Sequence, residues 1–408
     1  MDSDTLAPER THLENRAQPD QARLKWVMLV FSALTNSVAV AIPSMAMTVL
    51  LPEISRELKL SLVQAGLVWG LSGLPTMIVG VLGGAIGDRF GPRRVLIVSC
   101  LLAGLAGALR GTATDIVSLL AMVLGFGLVT PLIVMNNVKS AAAWFPRREL
   151  GLANGALAMG MALGFLVGSL VSASLLSPWL GGWRNVFFGY GALAAALAIP
   201  WAFTPAAPTA AADAARPARP MRATLAAIAR LRNVWLLGLA VMGISGGIQG
   251  LLGYLPTYLR GLGWPAVTAD SALGAFHTVS LLSVLPIALS SDRLGARKGM
   301  LLGMGTMITA GIGLLTVLQG GAIWAAVLLA GVVRDGFMAI LNTAVIETKG
   351  VDGSSAGTAM GFNMMFIGLG ALLAPPLGNA LAAVAPGAPF AFWAGLSVVG
   401  LVCIALSD

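Results

Sequence analysis

Twelve mostly apolar stretches, separated by short polar gaps, fill nearly all of this 408-residue chain. They run approximately over 27–51, 61–86, 95–112, 115–142, 151–176, 185–203, 234–258, 267–290, 299–318, 321–346, 355–380 and 386–406. A helix crosses the hydrocarbon core with about 20 such residues, because it bonds every backbone polar group within its own segment. The period-two alternation of a membrane barrel is absent. Only 10% of residues are charged and 57% are hydrophobic, whereas a water-soluble domain carries about 25% charged residues. The expected fold class is therefore an all-α integral membrane protein with twelve transmembrane helices.

The basic residues fix the expected orientation. Nineteen lysines and arginines fall in the tail and in alternate gaps. Five, Arg56, Lys59, Arg110, Arg184 and Arg260, fall on the other side, and Arg334 belongs to neither. The positive-inside rule then places both termini in the cytoplasm of a cell inner membrane. The basic residues form no stripe, and no recognition helix or zinc ligand set accompanies them, so a net charge of +8 does not indicate nucleic acid. Tryptophans such as Trp26, Trp144, Trp179, Trp183 and Trp235 lie near expected helix ends, as an interfacial belt requires. Cys100 and Cys403 lie in distant apolar stretches and read as small core residues rather than a disulfide. Arginine far in excess of lysine, with abundant alanine and glycine, points to a bacterium.

The chain divides by composition. Residues 1–24 are a polar tail without a signal-peptide core, 25–203 hold six apolar stretches, 204–233 form an Ala/Pro/Arg-rich link, and 234–408 hold six more. Asp88-Arg89-Phe90-Gly91-Pro92-Arg93-Arg94 aligns with Asp292-Arg293-Leu294-Gly295-Ala296-Arg297-Lys298, 204 residues later, half the chain length. GLANG at 151–155 echoes GTAMG at 357–361. Such a repeat indicates a duplicated six-helix unit. In each copy the turn needs a permissive glycine, Gly91 in the first, and a capping carboxylate, Asp88.

The pattern of Gly84, Asp88, Arg89, Gly91, Arg93 and Arg94 resembles the signature loop of the major facilitator superfamily, and the resemblance extends over essentially the whole chain. It implies two pseudo-symmetric six-helix bundles and a monomeric, cofactor-free transporter. It also implies that Asp88, Arg89, Gly91 and Arg93 work with Arg147 or Arg148 to brace one conformational state, with Asp292 and Arg293 as pseudo-equivalents. Ala288 and Ser291 replace the glycines expected in the second copy. The stretches VVRDGFMAI, SAGTAMGFN and APPLGNAL are similar to bacterial porters of the cyanate, nitrate/nitrite and organic-anion kind.

The family implies a cavity lined by helices 1, 4, 7 and 10. Arg334 lies near the middle of the tenth apolar stretch, roughly 20 Å from either end at 1.5 Å per residue. There it requires a partner or water. Two readings stay open: an internal ion pair, for example with Asp335, or contact with a substrate oxyanion, which suits the guanidinium fork. Asp335, the one acidic residue deep in an apolar stretch, is the candidate proton-coupling site, with His277 as a second titrating group. Asn36, Asn137, Gln249, Tyr254 and Asn342 are further substrate-binding candidates, each of which can alternatively bond a neighbouring helix. The glycines of the fifth stretch read as helix packing, and no Gly-Pro follows them as in proton-driven drug exporters. The expected function is proton-coupled transport of a small organic anion, with lipid, substrate and H+ as the only partners. A multidrug or metabolite exporter and a transport-fold receptor are the alternatives. No nucleophile–base set suggests an enzyme.

Overall fold

The computed structural model describes residues 23–146, 149–205, 221–294, 297–352 and 355–407, and these contain no strand. The main helices are α1 (Arg23–Glu57), α2 (62–90), α3 (Pro92–Thr112), α4 (Ile116–Trp144), α5 (Leu150–Leu180), α6 (Trp183–Phe203), α7 (Arg232–Gly261), α8 (Ala266–Leu294), α9 (Arg297–Leu314), α10 (Ala322–Ile346), α11 (Ala356–Ala383) and α12 (Ala388–Leu406). Ten helices among the described residues are long and apolar enough to cross a bilayer. The other two, α8 and α9, occupy the positions expected of the eighth and ninth spans. Large apolar side chains such as Val30, Val117, Leu282 and Val402 stay on the outside, as lipid contact demands.

Glycine sets how closely these helices approach, because apolar side chains gain little by leaving lipid for protein and van der Waals fit takes over. Gly160 and Gly168 of α5 lie against the Ala33 and Ile42 carbonyls of α1; an added Cβ would stand 2.5 and 2.7 Å from them. A Cβ on Gly191 of α6 would fall 2.6 Å from the Gly104 carbonyl of α3. Gly191→Val should therefore destabilise the protein by about 1–3 kcal/mol, seen as a lower thermal midpoint in detergent with the helical circular dichroism intact. An unchanged midpoint would show that the α3–α6 seam can spread freely.

The turn between α2 and α3 lies at one end of the bundle, the signature end. Gly91 has φ +79° and open space around its Cβ position, so its need is conformational and not steric. Arg93 donates from Nε to the Trp201 carbonyl at 3.2 Å and from Nη2 to the Ala202 carbonyl at 2.5 Å. It thereby adds donors to the last carbonyls of α6. In the second copy Lys298 donates to the Ser407 carbonyl at the end of α12, and Arg297 pairs with Glu347. The bonds made by Arg93 and Lys298 each stay within one half. The bracing role expected of this loop meets a limit here: Arg147 and Arg148 lie outside the described residues, as do the side chains of Asp88, Asp292 and Arg293. Arg89 is exposed beside Phe90.

At the far end the two halves are shut against each other. A Cβ on Gly66 of α2 would stand 2.9 Å from the Pro375 carbonyl of α11, and one on Gly70 2.8 Å from the Leu372 carbonyl. Gly73 comes equally close to Gly368 and Leu372. Asn379 donates to the Leu62 carbonyl at 2.8 Å. Trp69 of α2 donates to the Gln249 carbonyl of α7 at 2.8 Å. Leu166 and Leu170 of α5 close over Gly274 of α8.

One expectation is corrected. Trp183 does not sit in an interfacial belt; it is buried, donating to Glu57 at 2.5 Å, while Glu57 also holds Arg184 at 2.9 Å. A carboxylate at the end of α1 draws the indole inward. At the same end Asp115 caps α4 by accepting from the Ser118 amide at 2.9 Å. That bond and its neighbours hold the exposed carboxyl below the usual carboxylate range.

Candidate functional site

The candidate site forms where α10 breaks. Its first part ends at Val332, Val333 adopts φ −107° and ψ −2°, and Arg334 opens a second helical part, Arg334–Ile346. The sequence predicts one continuous helix here, so the break is a finding. Gly331 and Gly336 flank it and let α8 press close: a Cβ on each would meet the Phe276 carbonyl at 2.8 Å or Ile287 at 2.6 Å. A break inside a bilayer frees backbone groups that must be bonded again. Two serines of α8 do this. Ser283 donates to the Val332 carbonyl, and Ser280 accepts from the Asp335 amide at 3.2 Å.

Ser280 also donates to Asp335 Oδ2 at 2.7 Å, while Arg334 Nη1 donates to Oδ1 at 2.8 Å. Asp335 sits in the first turn of the new half-helix, where the positive end of the helix dipole favours a carboxylate. Of the two readings left open for Arg334, the structure makes the ion pair. It does not close the guanidinium off: the side chain keeps 23% of its surface exposed and uses one nitrogen in that pair.

His277 lies three residues before Ser280 and so on the same face of α8. It is buried, its ring centroid 5.5 Å from Phe165 of α5, and its Nε2 has no partner among the described residues. His277, 57 residues before Arg334 in the chain, thus lies about one turn of α8 from the Ser280 that holds Asp335.

The remaining candidates lie elsewhere. Asn137 of α4 donates to Asn36 of α1 at 2.7 Å, both buried, leaving Asn137 Oδ1 without a partner among the described residues. Gln249 lies between the halves, its amide 3.4 Å from Ser72. Asn342 accepts from Asn363 of α11 at 3.4 Å. Tyr254 is buried among Tyr258, Phe390 and Trp393, with its hydroxyl on the Pro386 carbonyl at 3.2 Å. The core of the second half occupies its ring, so it leaves the set of cavity-facing candidates.

Sequence reasoning missed one residue. Arg110 counts there among the outer loop charges, yet the structure buries it at 2% exposure. Its position inside the expected span 95–112 was the available signal.

Comparison with known proteins then decides the family: residues 27–355 match the Major Facilitator Superfamily. The chain belongs to that superfamily. Ten of its described helices are long and apolar enough to cross a membrane, as befits a member of a family of membrane transporters. Among curated major facilitator relatives, the "Probable sulfoacetate transporter SauU" of Cupriavidus necator is 30% identical over 152 residues, 37% of this chain and 35% of that one. The "Probable nitrate/nitrite transporter NarK2" of Mycobacterium tuberculosis is 29% identical over 265 residues, 63% and 64% of the two chains. The chain thus spans about a third of the length of the first relatives it matches. Among solved structures, the nucleoside transporter NupG superposes with a TM-score of 0.73 at 16% identity, over 94% of this chain and 98% of that one. A bacterial homologue of human Spinster in an inward-facing, unoccupied state gives 0.73 at 15% identity, over 94% of both chains. These superpositions establish the fold.

Proposed function

We propose that this transporter carries a small organic anion, a carboxylate or sulfonate, together with protons, by alternating access between halves 25–203 and 234–408. One observation carries this reading. At the α10 break a partly exposed guanidinium rests on a single neighbouring carboxylate, which α8 holds through Ser280. An incoming oxyanion competes with Asp335 for Arg334, and protonation of Asp335 frees the fork for it. His277, about one turn of α8 from Ser280 and beside Phe165 of the other half, offers a second proton carrier and links the site to the α5–α8 contact. Relatives described as a probable sulfoacetate transporter, a probable galactarate/D-glucarate transporter and a 4-hydroxybenzoate transporter support the substrate class.

Uptake into proteoliposomes, screened over sulfoacetate, glucarate, benzoate and a cationic dye, tests the proposal. Wild-type uptake of at least one anion should rise with an imposed proton gradient. Asp335→Asn should leave uptake indifferent to that gradient. Unchanged gradient dependence in this variant would remove Asp335 from the mechanism, and transport of the dye alone would favour an exporter.

A further inference from the structure

The first half contains a second cationic group that the α10 site does not use. Arg110 ends α3 with its guanidinium buried, clamped between the rings of Phe126 and Phe187, with its Cζ 4.0 and 4.5 Å from their centroids. Nε donates to the Gly107 carbonyl at 3.3 Å and Nη1 to the Pro43 carbonyl at 3.0 Å. Among the described residues Nη2 has no partner and Arg110 forms no ion pair. A buried arginine retained without a counter-charge is unfavourable unless something else supplies that charge.

Beside it lies a small pocket bordered by Arg110, Ser44, Trp69, Ser72, Thr76 and Thr130. No residue lining it is acidic. The four hydroxyls satisfy themselves on their own helices, Ser44 on Val40, Ser72 on Trp69, Thr76 on Ser72 and Thr130 on Gly127. Each can turn toward a guest. Trp69 and Ser72 also form the contact with Gln249 across the halves, so the pocket adjoins the closed far end.

We infer that this pocket is an anion-binding site, in which a carboxylate or sulfonate oxygen takes the free Arg110 Nη2 and the hydroxyls complete its shell. The site stands on the first half alone and makes no use of Arg334; the organic-anion reading enters only in the choice of probes.

The full chain, purified in detergent, is titrated with sodium sulfoacetate and sodium glucarate, reading heat of binding and thermal midpoint. Wild type should bind at least one probe. Arg110→Met should weaken that binding by about tenfold or more, the loss of one charge-assisted bond; Arg334→Met should lose only what the α10 site binds, and the binding that remains should weaken likewise when Arg110→Met is added. Should Arg110→Met not assemble, Thr76→Phe, which fills the pocket while leaving the arginine, should lose the binding instead. Wild-type affinity in Arg110→Met or Thr76→Phe overturns the site, as does the absence of binding to either probe. Binding lost only in Arg334→Met also overturns it, while supporting the α10 site. Normal transport by Arg334→Met together with binding lost in Arg110→Met leaves this site standing and removes the other.

Discussion

Arg334→Met should lower anion uptake by roughly 100-fold, the loss expected when a charged hydrogen-bond donor to an oxyanion is removed. The protein itself should still assemble. Asp335 keeps the Ser280 hydroxyl and the positive end of its half-helix. Arg334→Lys retains the charge but loses the planar fork, so its activity should fall between the two. Initial rates of labelled sulfoacetate or glucarate uptake into proteoliposomes, normalised to reconstituted protein, check the order. If methionine, lysine and arginine transport alike, Arg334 is there for Asp335 alone and the cargo lies elsewhere.

Gly73→Leu should stop turnover by a different route. Its side chain would collide with Gly368 and Leu372 of α11, but only while the far end is closed. An overpacking cost of about 1–3 kcal/mol confined to one state shifts a two-state ratio by roughly 5- to 150-fold. The transporter should therefore accumulate with its far end open. Combined with Gln249→Cys, at a position that faces Ser72 across the halves, this change should make the new thiol reactive toward maleimide in detergent. Gln249→Cys in an otherwise wild-type chain should react slowly, and the native Cys100 and Cys403 are both buried. Equal labelling rates in the two backgrounds would mean that the α2–α11 seam is not what holds the far end shut.

Much of this architecture could be read in the sequence, because a bilayer makes strong demands on short segments. Twenty apolar residues in a row admit few alternatives, and the doubled charged loop reveals the repeat. Arg334 and Asp335 stand out in the sequence for the same reason: each is costly in lipid wherever it points. Partnerships were not visible. That Asn137 reaches Asn36, or that Tyr254 turns into the core of its own half, depends on how helices rotate against their neighbours, and glycines set that rotation through contacts that no single helix encodes. The break at Val333 was hidden because the groups that bond its freed backbone, Ser280 and Ser283, lie on α8. Arg110 was misplaced because a charge at a helix end can stay outside or fold inward, and only Phe126 and Phe187, from two other helices, decide the matter.

Arg93 and Lys298 carry a last consequence. Each fastens the hairpin of its own repeat to the final helix of that repeat. A rocking movement that parts the repeats at this rim therefore need not break either clasp. In such a movement every repeat would travel as a finished block, and the hinge work would fall on the small-residue seams opposite.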